Sequence, residues 1–202
     1  GRFSADQSNK QEALAYYGFN DQLPVIMCVG GSLGTRTLNE MMKKWVLTLN
    51  GEAPVQVIWQ TGKYYEREMQ EFLKAHPTKH IWQGAFIERM DYAYAAADVV
   101  LSRSGACTVS ELCLVAKPTI FVPSPNVSED HQTKNAMALV EKGAAEIVAD
   151  REAIKHGMEL ALEIVRDERR LESLSENIAK LAISDAAERV VNEIENELNS
   201  AL

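Results

Sequence analysis

The sequence has few of the residues and patterns that mark several common protein classes. Only three of its 202 residues are cysteine, none of them forms a C-x-x-C pair, and no Cys and His cluster has zinc-ligand spacing. No apolar run approaches the roughly 18–20 residues of a membrane-spanning helix, and the polar start does not resemble a signal peptide. We therefore predict buried free thiols in a reducing compartment, with no structural zinc and no membrane span.

Excess positive charge and several well-known site motifs are also absent. The chain has 21 Lys and Arg against 29 Asp and Glu, a net charge of −8, which argues against a nucleic-acid partner and a polybasic membrane patch. It contains no G-x-G-x-x-G, no P-loop lysine motif, no G-x-S-x-G and no D-x-D. We expect neither a cofactor nor a bound metal.

Short apolar runs do recur, and they alternate with helical patterns over the first three quarters of the chain. The predicted strands are 24–29, 55–59, 80–86, 98–102, 119–122 and 145–148. This alternation predicts an α/β fold, a doubly wound, Rossmann-like parallel sheet of about six strands followed by C-terminal helices. In such folds ligands bind beyond the carboxyl ends of the strands.

Two boundaries divide the predicted organisation. Residues 1–20 are interpreted as a linker with a short helix at 11–17, and residues 21–183 as the sheet domain. Residues 184–202 are predicted to form a separate C-terminal helix after a break near 183–185.

The most informative stretch is 102–111, a turn of small residues that follows an apolar strand and opens a helix. Free backbone N–H groups at such a turn favour an anion, and the segment that would supply them is Ser104, Gly105, Ala106, Cys107 and Thr108. Glu111 would repel a phosphate, so a pair of sugar hydroxyls suits it better. An alternative stays open: Thr108 and Glu111 also fit a capping box.

Two other loops carry weaker signals. Gly31, Ser32 and Gly34 follow the first strand, where they would let a ligand approach the backbone and would offer it a hydroxyl. The same glycines would also suit a plain strand-to-helix turn. Ile87, after the third strand, could offer its backbone edge to a flat base, or it could simply end the strand.

The helix after the fifth strand begins with His131, Gln132 and Asn135. Amides and an imidazole both donate and accept hydrogen bonds, so these residues suit hydroxyl recognition. A helix start that is merely solvated is the competing interpretation.

Taken together, these motifs resemble the C-terminal, donor-binding half of the MurG family, the peptidoglycan N-acetylglucosaminyltransferases with the GT-B fold. The resemblance covers about residues 24–195 and rests on Pro118 and on segments 30–34, 86–90, 97–111, 121–123, 130–136, 141–145 and 185–190. It implies UDP-GlcNAc as the donor, lipid I as the acceptor and lipid II as the product. It also implies an inverting, metal-independent displacement.

The resemblance assigns a role to each loop. The groups implied to hold the diphosphate are the Ser32 hydroxyl and the N–H groups of Ala106, Cys107 and Thr108. The Ile87 backbone would pair with uracil, Glu111 would accept hydrogen bonds from the ribose hydroxyls, and Gln132, with His131 beside it, would contact the GlcNAc hydroxyls. Gly31, Gly34, Ser104, Gly105 and Asn135 would support these contacts.

The resemblance also implies what lies outside the chain. The acceptor cleft, the membrane contact and the catalytic base would belong to an N-terminal domain, so we assign no catalytic residue here and expect this fragment alone to be inactive. The whole protein would be cytoplasmic and peripheral at the inner membrane, with residues 184–202 packed towards the absent domain. Two alternatives remain: another GT-B enzyme such as a UDP-GlcNAc 2-epimerase, or a sugar-nucleotide-binding module without chemistry of its own.

Overall fold

The fold was analysed in a computed structural model that describes residues 2–31, 34–126 and 131–201. Helices and strands alternate along it. The elements are α1 (Arg2–Tyr17), β1 (Val25–Val29), α2 (Arg36–Leu47), β2 (Glu52–Gln60), α3 (Glu66–Ala75), β3 (Lys79–Gly84), α4 (Met90–Ala96), β4 (Val99–Ser102), α5 (Ala106–Val115), β5 (Thr119–Phe121), α6 (His131–Val140), β6 (Glu146–Ile147), α7 (Asp150–Val165) and α8 (Glu168–Ser200).

The six strands form one sheet in the order β3-β2-β1-β4-β5-β6, and every neighbouring pair is parallel. The order reverses between β1 and β4, because the chain crosses from one side of β1 to the other there. The predicted fold class is therefore confirmed. Sheets of this kind leave a crevice above the carboxyl ends of the two strands at the reversal.

Alternate residues of each strand build a core on each face of the sheet. On β1, Ile26 and Cys28 pack with α2 and α7, whereas Met27 packs with α4 and α5. Both faces are apolar because helices cover both, which explains why the strands are continuous apolar runs rather than alternating ones.

The two ends of the chain differ from the predictions. The first helix begins at Arg2 rather than at residue 11, and its carboxyl half is buried against α4 through Leu14 and Tyr17. Residues 1–10 have no apolar periodicity, so this extension of the helix could not be predicted from its pattern. At the other end, α8 runs unbroken from Glu168 to Ser200, and the predicted break near 183–185 is wrong.

The physical reason for the unbroken helix is that Ser and Asp cost a helix interior only about 0.5 kcal/mol each, which the turns on either side offset. The chain breaks its helical path earlier, at Arg166 and Asp167 between α7 and α8. That residues 184–202 pack against another domain stays a prediction.

The three cysteines occupy different environments. Cys28 is buried in β1, where desolvation raises the pKa of its thiol to about 12. Cys113 is half-buried, and Cys107 is exposed. The prediction of buried thiols is thus wrong for Cys107, which lies on the solvent side of the first turn of α5. Among the described residues, no helix combines the length and hydropathy needed to cross a membrane.

Candidate functional site

A cavity of about 750 Å³ lies at the carboxyl ends of the strands, at the point where the strand order reverses. Its volume falls within the usual range for small-molecule sites. Its wall includes the loops after β1, β3, β4 and β5, the end of β2, part of α4 and the start of α7. Of the predicted site residues, it is lined by Gly31, Gly34, Ile87, Gly105, Thr108, Glu111 and Gln132.

The amino end of α5 opens at this cavity. Its N-cap is Gly105, with extended backbone and no side-chain cap, and Ala106 is the first helical residue. The capping-box alternative is therefore wrong, because Thr108 is already the third residue of the helix. Since no side chain caps this end, the N–H groups of the first turn remain available to an anion. Ala106 and Cys107 complete that turn and are exposed to solvent.

Glu111 lies more than a turn further along the same helix. It is five positions after Ala106, which corresponds to about 7.5 Å along the axis. The carboxylate accepts a hydrogen bond from the Tyr94 hydroxyl at 3.0 Å, and both residues line the cavity. Burial and the nearby charge of Glu111 raise the pKa of Tyr94, so its phenol remains a neutral donor. The cavity thus has an uncapped helix start and a carboxylate at separate positions.

The glycine loop after β1 is shaped mainly by steric requirements. Gly34 has φ +93°, and a Cβ atom there would lie 2.4 Å from the carbonyl oxygen of Thr61. At Gly30 a Cβ atom would lie 2.6 Å from Oγ1 of Thr35. Gly31 also has positive φ, but no described heavy atom would lie within 4 Å of its Cβ. Ser32, predicted to contact the diphosphate, lies outside the described residues.

Gln132 connects two loops of the site. Its side-chain oxygen accepts from the backbone N–H of Ser124 at 2.9 Å and from that of Ser104 at 3.3 Å. Because both partners are donors, they fix the orientation of the amide, and its NH₂ group makes no hydrogen bond with a described residue. Gln132 can therefore offer a ligand hydrogen-bond donors, but its oxygen is already engaged.

Ser104, Asn135 and His131 do not line the cavity. Ser104 is fully buried, donates its hydroxyl to the Gln132 carbonyl at 2.8 Å, and accepts from Nδ2 of Asn135 at 3.1 Å. Ser104 therefore holds the backbone of Gln132, and Asn135 in turn holds the backbone of Ser104. His131 is exposed at the start of α6.

Ile87 lines the cavity and is buried. Its N–H donates to Oε1 of Gln60 at 3.1 Å. Gln60 ends β2 and also lines the cavity. A flat base that paired with the Ile87 N–H would have to share or displace this bond, so Gln60 belongs to the same part of the site.

The cavity is lined by two arginines, of which one is paired with a carboxylate and the other is exposed. Arg103 follows β4 and donates to Asp150 at 2.6 Å and to the carbonyls of Val122 and Pro123 at 3.0 and 3.1 Å. It therefore fixes the loop after β5 to the start of α7. Arg36, at the first position of α2, is exposed, and no described residue forms an ion pair with it.

Sequence reasoning missed four of these residues, namely Tyr94, Gln60, Arg36 and Asp150. One feature of the sequence could have indicated Tyr94: its hydroxyl lies in α4, the helix directly before β4. The other three required the tertiary structure. Over 2–31, 34–126 and 131–201, no three His, Cys, Asp or Glu side chains lie close enough to hold a metal ion.

Comparison with known families gives this geometry a context. The model of the glycosyltransferase family 28 C-terminal domain matches residues 25–190. The chain belongs to this family. All of the sheet and the whole cavity wall of this family 28 domain fall within the matched residues.

The curated relatives of this chain are named as N-acetylglucosamine transferases. The chain is 52% identical over 187 residues to a UDP-N-acetylglucosamine–N-acetylmuramyl-(pentapeptide) pyrophosphoryl-undecaprenol N-acetylglucosamine transferase of Parabacteroides distasonis, and the match covers 93% of this chain and 50% of the relative. A protein of the same name from Porphyromonas gingivalis strain W83 is 49% identical, with 92% of this chain and 49% of the relative covered. The chain thus spans about half the length of the curated relatives it matches.

Solved structures agree on the fold. The crystal structure of Acinetobacter baumannii MurG matches with a TM-score of 0.72 and 29% identity, covering 87% of this chain and 53% of that one. A UDP-GlcNAc 2-epimerase of Neisseria meningitidis, bound to UDP-GlcNAc, matches with a TM-score of 0.63 but 11% identity, covering 96% and 50%. At that identity the second match shows a shared fold alone.

Proposed function

We propose that this family 28 domain binds the UDP-GlcNAc donor of an N-acetylglucosaminyltransferase that converts lipid I to lipid II. The observation that carries the proposal is the uncapped amino end of α5, with Glu111 about 7.5 Å further along the same helix. A nucleoside diphosphate sugar needs both groups at once: N–H donors for its diphosphate and an acceptor for its ribose hydroxyls. One cavity wall offers them in that order.

The remaining parts of the donor have candidate partners in the same cavity. Uracil would lie against the Ile87 backbone beside Gln60, and the NH₂ group of Gln132 would donate to a GlcNAc hydroxyl. The first turn of α5 would also stabilise the negative charge that develops on the departing UDP, an electrostatic contribution that needs no proton transfer. Lipid I, membrane contact at the cytoplasmic face and the catalytic base are proposed to belong to the rest of the protein.

The transferase proposal is favoured over the epimerase alternative by sequence. The relatives named as transferases are 52% and 49% identical, whereas the N. meningitidis epimerase is 11% identical. The cavity itself does not separate the two reactions, because both begin with the same donor.

Isothermal titration of the chain with UDP-GlcNAc tests the proposal. We expect binding by the unmodified chain, and Glu111→Gln should weaken it about 10- to 100-fold, because charged hydrogen bonds contribute about 1.5–3 kcal/mol each. Glu141→Gln is the matched control, since it makes the same change at an exposed position that follows α6. Absence of binding by the unmodified chain contradicts donor binding, and an unchanged affinity of Glu111→Gln contradicts the ribose assignment alone.

A further inference from the structure

We propose that Tyr94 is a positioning residue, which orients the Glu111 carboxylate so that it accepts both hydroxyls of a ribose. This inference rests on the proposed function, because it specifies how the nucleoside end of the same cavity would recognise its ligand. It concerns a residue on α4, an element that none of the predicted ligand-binding loops includes.

The geometry fixes Tyr94 far more firmly than Glu111. Tyr94 is 6% exposed and packs in the core cluster that also contains Val109 and Leu112 of α5. Glu111 itself is exposed on α5, and its one hydrogen bond with a described side chain is the 3.0 Å bond from the Tyr94 hydroxyl. A buried donor therefore holds a side chain that would otherwise sample several rotamers.

The atoms that remain free match a diol. An ionised carboxylate has about four acceptor positions on its two oxygens. Tyr94 occupies one position on Oε2, which leaves Oε1 and part of Oε2 for a ligand. Two neighbouring acceptors at a fixed orientation are what the 2′- and 3′-hydroxyls of a ribose require. Tyr94, Glu111 and Ile87 all line the same cavity, so a ribose at Glu111 and a base at Ile87 would occupy one site.

The donor role of Tyr94 is stable towards pH. Desolvation by burial, followed by the charge of Glu111, raises the pKa of its hydroxyl. The phenol therefore stays protonated around neutral pH, where carboxylates are ionised, and the hydrogen bond there has one direction, from Tyr94 to Glu111.

Tyr94→Phe separates this role from packing, because it removes the hydroxyl and keeps the buried ring. We expect it to weaken UDP binding about 5- to 10-fold, less than the loss of a charged hydrogen bond to the ligand itself, because Tyr94 positions the acceptor and does not contact the ligand. Affinity for 2′,3′-dideoxy-UDP, which lacks both hydroxyls, should not change. Tyr92→Phe is the matched control, since Tyr92 lies on the same helix with its hydroxyl towards Glu12, 3.4 Å away, and does not line the cavity.

A double-mutant cycle completes the test. In a Glu111→Ala background, Tyr94→Phe should have no further effect on UDP binding, because the positioned group is gone. An equal loss for UDP and dideoxy-UDP, an additive effect in that background, or a variant that no longer folds would each overturn the proposal. If the unmodified chain binds no UDP, it is the proposed function that fails; if it binds UDP and Tyr94→Phe binds equally well, only the role of Tyr94 fails.

Discussion

The glycine loop after β1 offers a matched pair of substitutions whose consequences should differ. Gly31 and Gly34 both have positive φ, +87° and +93°, so an alanine is strained at either position. Only Gly34 is also confined, by the Thr61 carbonyl oxygen that would lie 2.4 Å from the new Cβ. The pair therefore separates the backbone cost of a side chain from its steric cost.

The magnitudes follow from these two terms. Positive φ costs an alanine about 1–2 kcal/mol, and this is the whole expected effect of Gly31→Ala on stability. In Gly34→Ala, a backbone oxygen must also move by more than about half an ångström, and overpacking of this kind adds about 1–3 kcal/mol. For a chain of this size, 1 kcal/mol lowers the melting temperature by about 2–4 °C. We thus expect losses of about 5 °C for Gly31→Ala and about 10 °C for Gly34→Ala.

Thermal unfolding followed by circular dichroism measures both losses of stability, and titration with UDP measures the effect of each substitution on ligand affinity. Because Gly31 lines the cavity without a close neighbour among the described residues, Gly31→Ala should weaken UDP binding if the ligand approaches the backbone there. Equal melting temperatures for the two variants would refute the steric argument. Unchanged UDP affinity in Gly31→Ala would favour the interpretation of this loop as a plain turn.

Two further predictions concern exposed groups at the cavity. Cys107 should react with iodoacetamide far faster than buried Cys28, and UDP should protect it, because the Cys107 N–H belongs to the turn that would bind the diphosphate. Labelling is measured by mass spectrometry with Cys107→Ala as the control, and labelling that UDP leaves unchanged would contradict the assignment. Arg36→Ala should weaken UDP about 5- to 10-fold and uridine hardly at all, with a loss that shrinks as salt is added. Equal losses for both ligands would show that Arg36 does not act on the phosphates.

Much of the fold followed from the sequence because each strand has both faces covered. A strand such as β1 is then a short, continuous apolar run between turn residues, which is easy to distinguish from its amphipathic neighbours. The ends of the chain lack this contrast. The start of α1 is polar throughout, and α8 passes through Ser184 and Asp185, which are weak helix breakers rather than stops.

The site was predictable only where its residues follow a strand directly. Glu111 and Gln132 were found because each stands near the start of a helix that follows a strand end. Tyr94, by contrast, acts through a contact with Glu111, 17 positions away, and Asp150 acts through Arg103, 47 positions away. Such pairs depend on which helices become neighbours around the sheet, and that information is not local to either segment.

The charges in the cavity indicate how a diphosphate would be balanced. Asp150 and Arg103 form an ion pair at 2.6 Å and largely cancel, so neither contributes much net field. The amino ends of α2 and α5 each supply about half a positive charge, and Arg36 supplies a full one. Together they offer about two positive charges, which matches the two negative charges of a sugar-nucleotide diphosphate. When the bond to the sugar breaks, a further negative charge develops on the diphosphate, and helix dipoles that are already oriented can stabilise it without reorganisation. Glu111, about 7.5 Å along the axis and hydrogen-bonded to Tyr94, is far enough from this centre to bind hydroxyls without opposing that charge.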